Sequence, residues 1–171
     1  GAMIGSNHNS RSPDGELYAG RGFWPGLCSD FKHNSKFASY TLVAKGSYQY
    51  ELNITYPFSL ISMDAPDKPV KIMPAYWFLF NMFAMDRNNS KFLKRDKRKT
   101  KDQYIETDPL APDTIQEVMF AMDRLVNLTG RWLRANDEWF KHKNDNLYEL
   151  AKEYLLQNPQ SNIELEDPRC M

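Results

Sequence analysis

With 22 acidic and 22 basic side chains in 171 residues, the chain has no net field that would select an anionic or a cationic partner. That length suits one domain, or two small ones sharing a core. Folding at this size hides roughly 70% of the unfolded surface, so neither a disulfide nor a structural metal is required.

Aromatic residues make up 13% of the chain and occur in both halves, which points to a packed interior. Cys28 and Cys170 lie far apart without metal-like spacing and read as reduced bystanders; no metal site and no cofactor is indicated. The polar N-terminus lacks the apolar core of a signal peptide. The most apolar run, Met73 to Met85, contains Asn81 and falls short of the roughly 20 residues that span a bilayer. The sequons at Asn53, Asn88 and Asn127 then read as chance matches, and a cytoplasmic protein without a membrane partner is expected.

Glycine divides the sequence. Seven of the eight glycines lie at or before Gly46 and only Gly130 beyond. Residues 1–72 read as β structure, with short runs such as Phe37 to Val43 and Tyr48 to Ile54 between turn signals at Pro13-Asp14-Gly15, Pro25-Gly26 and Lys45-Gly46. Asp64 to Pro69 reads as a linker. Residues 73–171 read as helical. A first helix opens at Pro74, and Tyr76 to Phe80 is apolar nearly all round, so burial is expected. Its continuation, Lys91 to Lys101, holds seven basic residues and one acid. A solvated segment neutralised by Glu164, Glu166 and Asp167 fits this run better than a nucleic-acid contact. The next helix is capped by Asp113, or by Thr114 with Glu117 three residues on, and continues to Phe140. Its Met119, Met122, Val126 and Leu133 are expected to be buried against Tyr76, Phe80 and Phe83. A third helix, about Asn146 to Gln157, sets Leu147, Leu150, Ala151, Tyr154 and Leu155 on one side and stops before Pro159.

Two motifs stand out. His8-Asn9-Ser10-Arg11 recurs 25 residues later as His33-Asn34-Ser35-Lys36. A left-handed parallel β-helix adds 18 residues per coil, and a seven-residue loop over Ser12 to Tyr18 would stack the two tetrads on adjacent coils. His8 and His33 are then candidate catalytic bases. Asn9, Ser10, Arg11, Asn34, Ser35 and Lys36 are candidate contacts to a substrate or its phosphate. The plainer reading makes Asn and Ser ladders at β-helix corners. The second motif is Gly20-Arg21-Gly22-Phe23-Trp24-Pro25-Gly26. It lacks the Gly-Lys-Ser/Thr of a P-loop and the following helix of a dinucleotide fold. Arg21 could meet a phosphate and Trp24 could stack on a base or sugar; the alternative is a turn that anchors Phe23 and Trp24 in the core.

Several stretches resemble the bacterial family filed as DUF4954: Gly5 to Arg11, Gly20 to Leu27, His33 to Ala38, Leu42 to Gly46, Met73 to Phe78, Arg95 to Arg98 and Glu106 to Thr114. The resemblance covers nearly the whole chain. It implies a fragment of a longer protein, beginning in the last coils of a hexapeptide-type left-handed β-helix, although Tyr40 and Tyr48 depart from the hexad pattern. The family carries no established activity. Its β-helix is similar to those of sugar-nucleotide pyrophosphorylases and hexapeptide acyltransferases, an analogy of fold alone.

The expected fold class is therefore α+β: terminal coils of a left-handed parallel β-helix, followed by about three helices packed on it. The leading functional expectation is a transferase-like protein binding a sugar nucleotide or an acyl acceptor, with nucleotide-sugar or acyl-CoA ligands. The alternative is a non-catalytic capping and oligomerisation module of a larger β-helix protein. A homo-oligomer is expected, without nucleic acid.

Overall fold

The computed structural model describes residues 4–6, 16–66, 68–141 and 146–159. Among these residues ten strands come first: β1 (Ile4–Ser6), β2 (Tyr18–Ala19), β3 (Trp24–Pro25), β4 (Ser29–Phe31), β5 (Lys36–Phe37), β6 (Leu42–Val43), β7 (Ser47–Tyr48), β8 (Asn53–Ile54), β9 (Leu60–Ser62) and β10 (Lys71–Met73). Among the described residues five helices follow: α1 (Tyr76–Phe80), α2 (Met82–Arg95), α3 (Pro112–Asn136), α4 (Glu138–Lys141) and α5 (Leu147–Gln157).

The strands form three sheets, ordered β1-β4-β7, β2-β5-β8 and β10-β9-β6-β3. All pairings are parallel except β9 with β10. Register is regular. Tyr18 faces Lys36, Trp24 faces Leu42 and Leu42 faces Leu60, each 18 residues on. Asp30 faces Ser47 and Lys36 faces Asn53, each 17 on. Ile4 faces Ser29, 25 on. Strands β5 to β9 each bury one side chain and β4 buries two, and Phe31, Phe37, Val43, Tyr48, Leu52, Ile54 and Ile61 form the core. Phe31 stacks on Tyr48 with centroids 5.5 Å apart, and Phe23 on Phe37 at 4.7 Å. Burial pushes the Tyr48 phenol up to about 12, and its hydroxyl donates to the Ala44 carbonyl at 2.8 Å.

The expected fold class is corrected. In place of terminal coils of a left-handed parallel β-helix with about three helices packed on them, the strands group in small parallel and mixed sheets and five helices follow. The stretch read as a linker reverses the chain. It joins β9 to β10 as an antiparallel pair, with Lys71 against Asp64 at 2.5 Å. The first helical run starts after a left-handed Ala75 (φ 56°) and breaks at Asn81, whose φ of −137° leaves helical geometry and separates α1 from α2.

The apolar run also behaves differently from expectation. Trp77 is its one buried residue, while Leu79, Phe80, Met82 and Phe83 are 65%, 68%, 57% and 77% exposed. Periodicity reports which side chains share a face but not whether anything covers that face.

The chain divides into two compact units, one of residues up to Glu117 and one running from Val118. In the second, Val126, Leu133, Phe140 and Ala151 make the core, with Leu147, Leu150, Tyr154 and Leu155 packed on it. A Cβ on Gly130 would stand 3.0 Å from Leu147, so glycine allows α5 to approach α3 closely. Of the four α3 residues expected to be buried, Val126 and Leu133 are, whereas Met119 and Met122 are 67% and 63% exposed. The helix expected to reach Phe140 ends at Asn136, and α4 restarts where the Asp137 carboxylate accepts the Trp139 N–H at 2.9 Å. The third expected helix is α5. Among the described residues, no helix is long and apolar enough to cross a membrane.

Candidate functional site

The tetrad His33-Asn34-Ser35-Lys36 sits at a corner entering β5. Asn34 is left-handed (φ 67°), and the Ser35 hydroxyl donates to the Lys32 carbonyl at 2.7 Å while accepting the Leu52 N–H at 3.1 Å. The same geometry recurs without the same sequence. Gly22, Cys28, Asn34, Tyr40 and Phe58 all have positive φ, the first four at six-residue spacing. After four of these corners, Ser29, Ser35, Thr41 and Ser59 each donate a buried hydroxyl to the carbonyl three residues back, at 2.7–3.0 Å. The Asn-Ser pair is thus one instance of a backbone corner. The local turn supplies the hydroxyl with a partner that a substrate would otherwise have to be.

The other tetrad members are placed as follows. His33 is half-buried in the turn. The Lys36 ammonium lies 5.7 Å from the centroid of the Tyr18 ring, a cation–π contact on the exposed side of β5. His8, Asn9, Ser10 and Arg11 lie outside the described residues. The β1–β4 register carries the same 25-residue offset as the repeat.

Arg21 is engaged within the protein. Its Nε donates to Asp113 Oδ2 at 3.1 Å and one terminal nitrogen to Oδ1 at 2.8 Å. The other terminal nitrogen donates to the Tyr40 hydroxyl at 3.0 Å and to the Asp108 carbonyl at 2.7 Å. This guanidinium holds the Asp113 carboxyl below its ordinary range, and Asp113 in turn raises Arg21. Asp113 lies inside α3, one residue after its start at Pro112, rather than at the cap position before it. The Glu117 carboxylate instead accepts the Ser39 N–H at 2.7 Å and its hydroxyl at 3.2 Å, while Thr114 donates to the Pro109 and Ala111 carbonyls.

Trp24 departs from the expectation of a core anchor. It is half-exposed rather than core, and its ring meets Trp77 with centroids 5.7 Å apart. Together with Tyr40, Asn89, Phe92 and Thr107 these two indoles line a cleft of about 230 Å³; none of His33, Asn34, Ser35 and Lys36 lines it. Gly22 is needed at its edge, because φ is +73° and a Cβ would meet the Tyr40 ring at 2.5 Å. Arg21 fixes two walls at once, since it bonds the Tyr40 hydroxyl and the carbonyl between Thr107 and Pro109. Two polar atoms of the cleft residues, Asn89 Oδ1 and Trp77 Nε1, are buried without a hydrogen-bond partner among the described residues. Such a group is disfavoured by about 1–3 kcal/mol until a partner satisfies it. Sequence reasoning missed Tyr40, Trp77 and Asn89 as site residues. A signal existed in the spacing of Met85, Asn88, Asn89 and Phe92, which set two amides on the same stripe of α2 as a Met and a Phe.

Beside this cleft, and sharing Phe92 with it, lies an open depression of about 400 Å³ lined by Lys91, Arg95, Asp96, Lys97, Arg98 and Ile105. The Asp96 carboxylate is held by Arg98 at 2.9 Å and approached by Lys101 at 3.9 Å, which leaves Lys91, Arg95 and Lys97 without an ion-pair partner among the described residues. Among the described residues, no group of His, Cys, Asp and Glu could hold a metal ion.

Comparison with known proteins adds one relative. An uncharacterized protein of Treponema pallidum (strain Nichols) is 49% identical over 138 residues, which are 80% of this chain and 19% of that protein. The chain therefore spans about a fifth of the relative it matches. No family model matches the chain. No solved structure matches it either.

Proposed function

We propose that this chain acts as a non-catalytic assembly module, pairing with a second copy through the apolar face of α1 and the start of α2. The observation that carries this reading is the cluster Leu79, Phe80, Met82 and Phe83, large apolar side chains that are all more than half exposed. An uncovered cluster of this kind is costly in water and marks a contact surface. Self-pairing suits it, because a two-fold interface presents the same patch from both partners and a formally neutral chain is not driven apart by its own charge. The resemblance to DUF4954 fits the same role as part of a longer polypeptide. Sedimentation equilibrium tests it. The wild type should be dimeric or larger at micromolar concentration, and Phe80→Glu with Phe83→Glu should be monomeric with an unchanged melting temperature. A wild type that stays monomeric at about 100 μM would exclude a functional self-association.

A transferase-like reading competes, in which His8 and His33 act on a sugar nucleotide or an acyl acceptor. It is supported by the 25-residue register of β1 and β4, which matches the spacing of the two tetrads. Against it stand the Ser35 hydroxyl and the Arg21 guanidinium, both engaged by the protein itself. Calorimetry with nucleotide sugars and acyl-CoA, on wild type and on His8→Ala with His33→Ala, decides between the two.

A further inference from the structure

We infer that the cleft between Trp24, Trp77 and α2 binds a phosphorylated sugar, with the ring in the aromatic cleft and the phosphate on the basic depression across Phe92. The volume of about 230 Å³ lies below the range of drug-sized sites, roughly 300 Å³ and above, and suits one six-membered ring. A sugar has an apolar C–H face and an edge of hydroxyls, each both donor and acceptor. The half-exposed ring of Trp24 offers a platform for the face, with Tyr40 and Phe92 beside it. Asn89 Oδ1 is a buried acceptor and Trp77 Nε1 a buried donor, both without partners among the described residues, and a sugar hydroxyl, being both donor and acceptor, can answer either. Trp77 lines the cleft and is itself only 1% exposed.

The second half of the ligand follows from Phe92, which lines both depressions. Lys91, Arg95 and Lys97 line the depression that shares Phe92 with the cleft, and the carboxylate of Asp96 there is already held by Arg98. Three cations next to a sugar-sized cleft call for an anion carried on the sugar, and phosphate accepts from several of them together. Arg21 is a positioning residue here, because it fixes Tyr40 and the Thr107–Pro109 edge without lining the cleft itself. The site is separate from the Leu79–Phe83 face, so loss of ligand binding and loss of self-association are distinguishable outcomes.

Isothermal calorimetry on the full chain tests the assignment with glucose, galactose and N-acetylglucosamine, their 1-phosphates, and inorganic phosphate. At least one sugar 1-phosphate should bind saturably, about tenfold or more tighter than its neutral sugar and than inorganic phosphate. Trp24→Ala and Asn89→Ala should each weaken it by about tenfold, while Lys91→Ala with Arg95→Ala should reduce it to the affinity of the neutral sugar. Circular dichroism and melting temperature establish that each variant is folded; Lys91 and Arg95 are exposed, so their double variant remains informative if Trp24→Ala unfolds. The proposal is overturned if no sugar 1-phosphate binds up to about 10 mM. It is also overturned if inorganic phosphate binds as tightly as the sugar phosphates, or if affinity survives both Asn89→Ala and the Lys91/Arg95 double variant.

Discussion

Arg21 grips Asp113 through both carboxylate oxygens, at 3.1 and 2.8 Å, across 92 residues of sequence. The pair fastens the start of α3 to the turn before β3, and the same guanidinium reaches Tyr40 and Asp108. Arg21→Lys should therefore destabilise the protein by about 1–2 kcal/mol, since an ammonium cannot reproduce the fork and the pair is only partly shielded from water. Urea unfolding measures it. A double-mutant cycle with Asp113→Asn should show coupling, and strict additivity would mean the pair contributes nothing.

Ser35→Ala should cost about 1–3 kcal/mol, because it removes the donor to the Lys32 carbonyl and strands the buried Leu52 N–H. Asn34→Gly should be neutral within about 0.5 kcal/mol, whereas Asn34→Val should lose about 1 kcal/mol or more, since a β-branched residue resists positive φ. Equal stability of the glycine and valine variants would contradict the corner assignment.

Leu133→Ala should cost about 2–5 kcal/mol, as a fully buried side chain in the core of the second unit. Met122→Asp should change stability by no more than about 0.5 kcal/mol, because the side chain already faces water. Thermal melts of both variants check the contrast. A large loss in the methionine variant would place a cover over that face of α3.

Arg98 lowers the Asp96 carboxyl to about 2 from an ordinary 3.8. A depressed folded-state value gives stability that is present above about pH 3.8 and is lost as pH falls towards 2. Asp113 contributes in the same direction through Arg21. Asp96→Asn should flatten the acid limb of stability against pH, measured from urea midpoints between about pH 2 and 5. Parallel curves for wild type and variant would exclude this linkage.

What the sequence made legible was local. α5 could be placed because its apolar residues repeat at helical spacing and Pro159 follows closely. The glycines mark where short strands and turns dominate, but the compact units divide after Glu117, inside α3, where no glycine or proline signals a boundary. Three corners were hidden because Cys28, Tyr40 and Phe58 take positive φ without being glycine or asparagine. The role of Arg21 was hidden by sequence distance: a phosphate-seeking arginine and one clamped to Asp113 look alike in one dimension. Met119 and Met122 were misplaced for a related reason, since an apolar stripe does not say what lies opposite. The cleft lay beyond reach because Trp24, Tyr40, Trp77 and Asn89 come from four separate segments.

The antiparallel strand β10 has a consequence for aggregation. A stack of parallel strands ends in an open row of N–H and C=O groups that can template a foreign strand and propagate. In the β3-β6-β9 sheet that row is occupied by β10, whose reversed direction breaks the parallel pattern. β10 is three residues long and lies between Pro69 and Pro74, neither of which can donate a backbone hydrogen bond to an incoming strand. Templated addition at that edge is left with a strand of three residues bounded by proline, and a variant replacing both prolines is where fibril formation would first be sought.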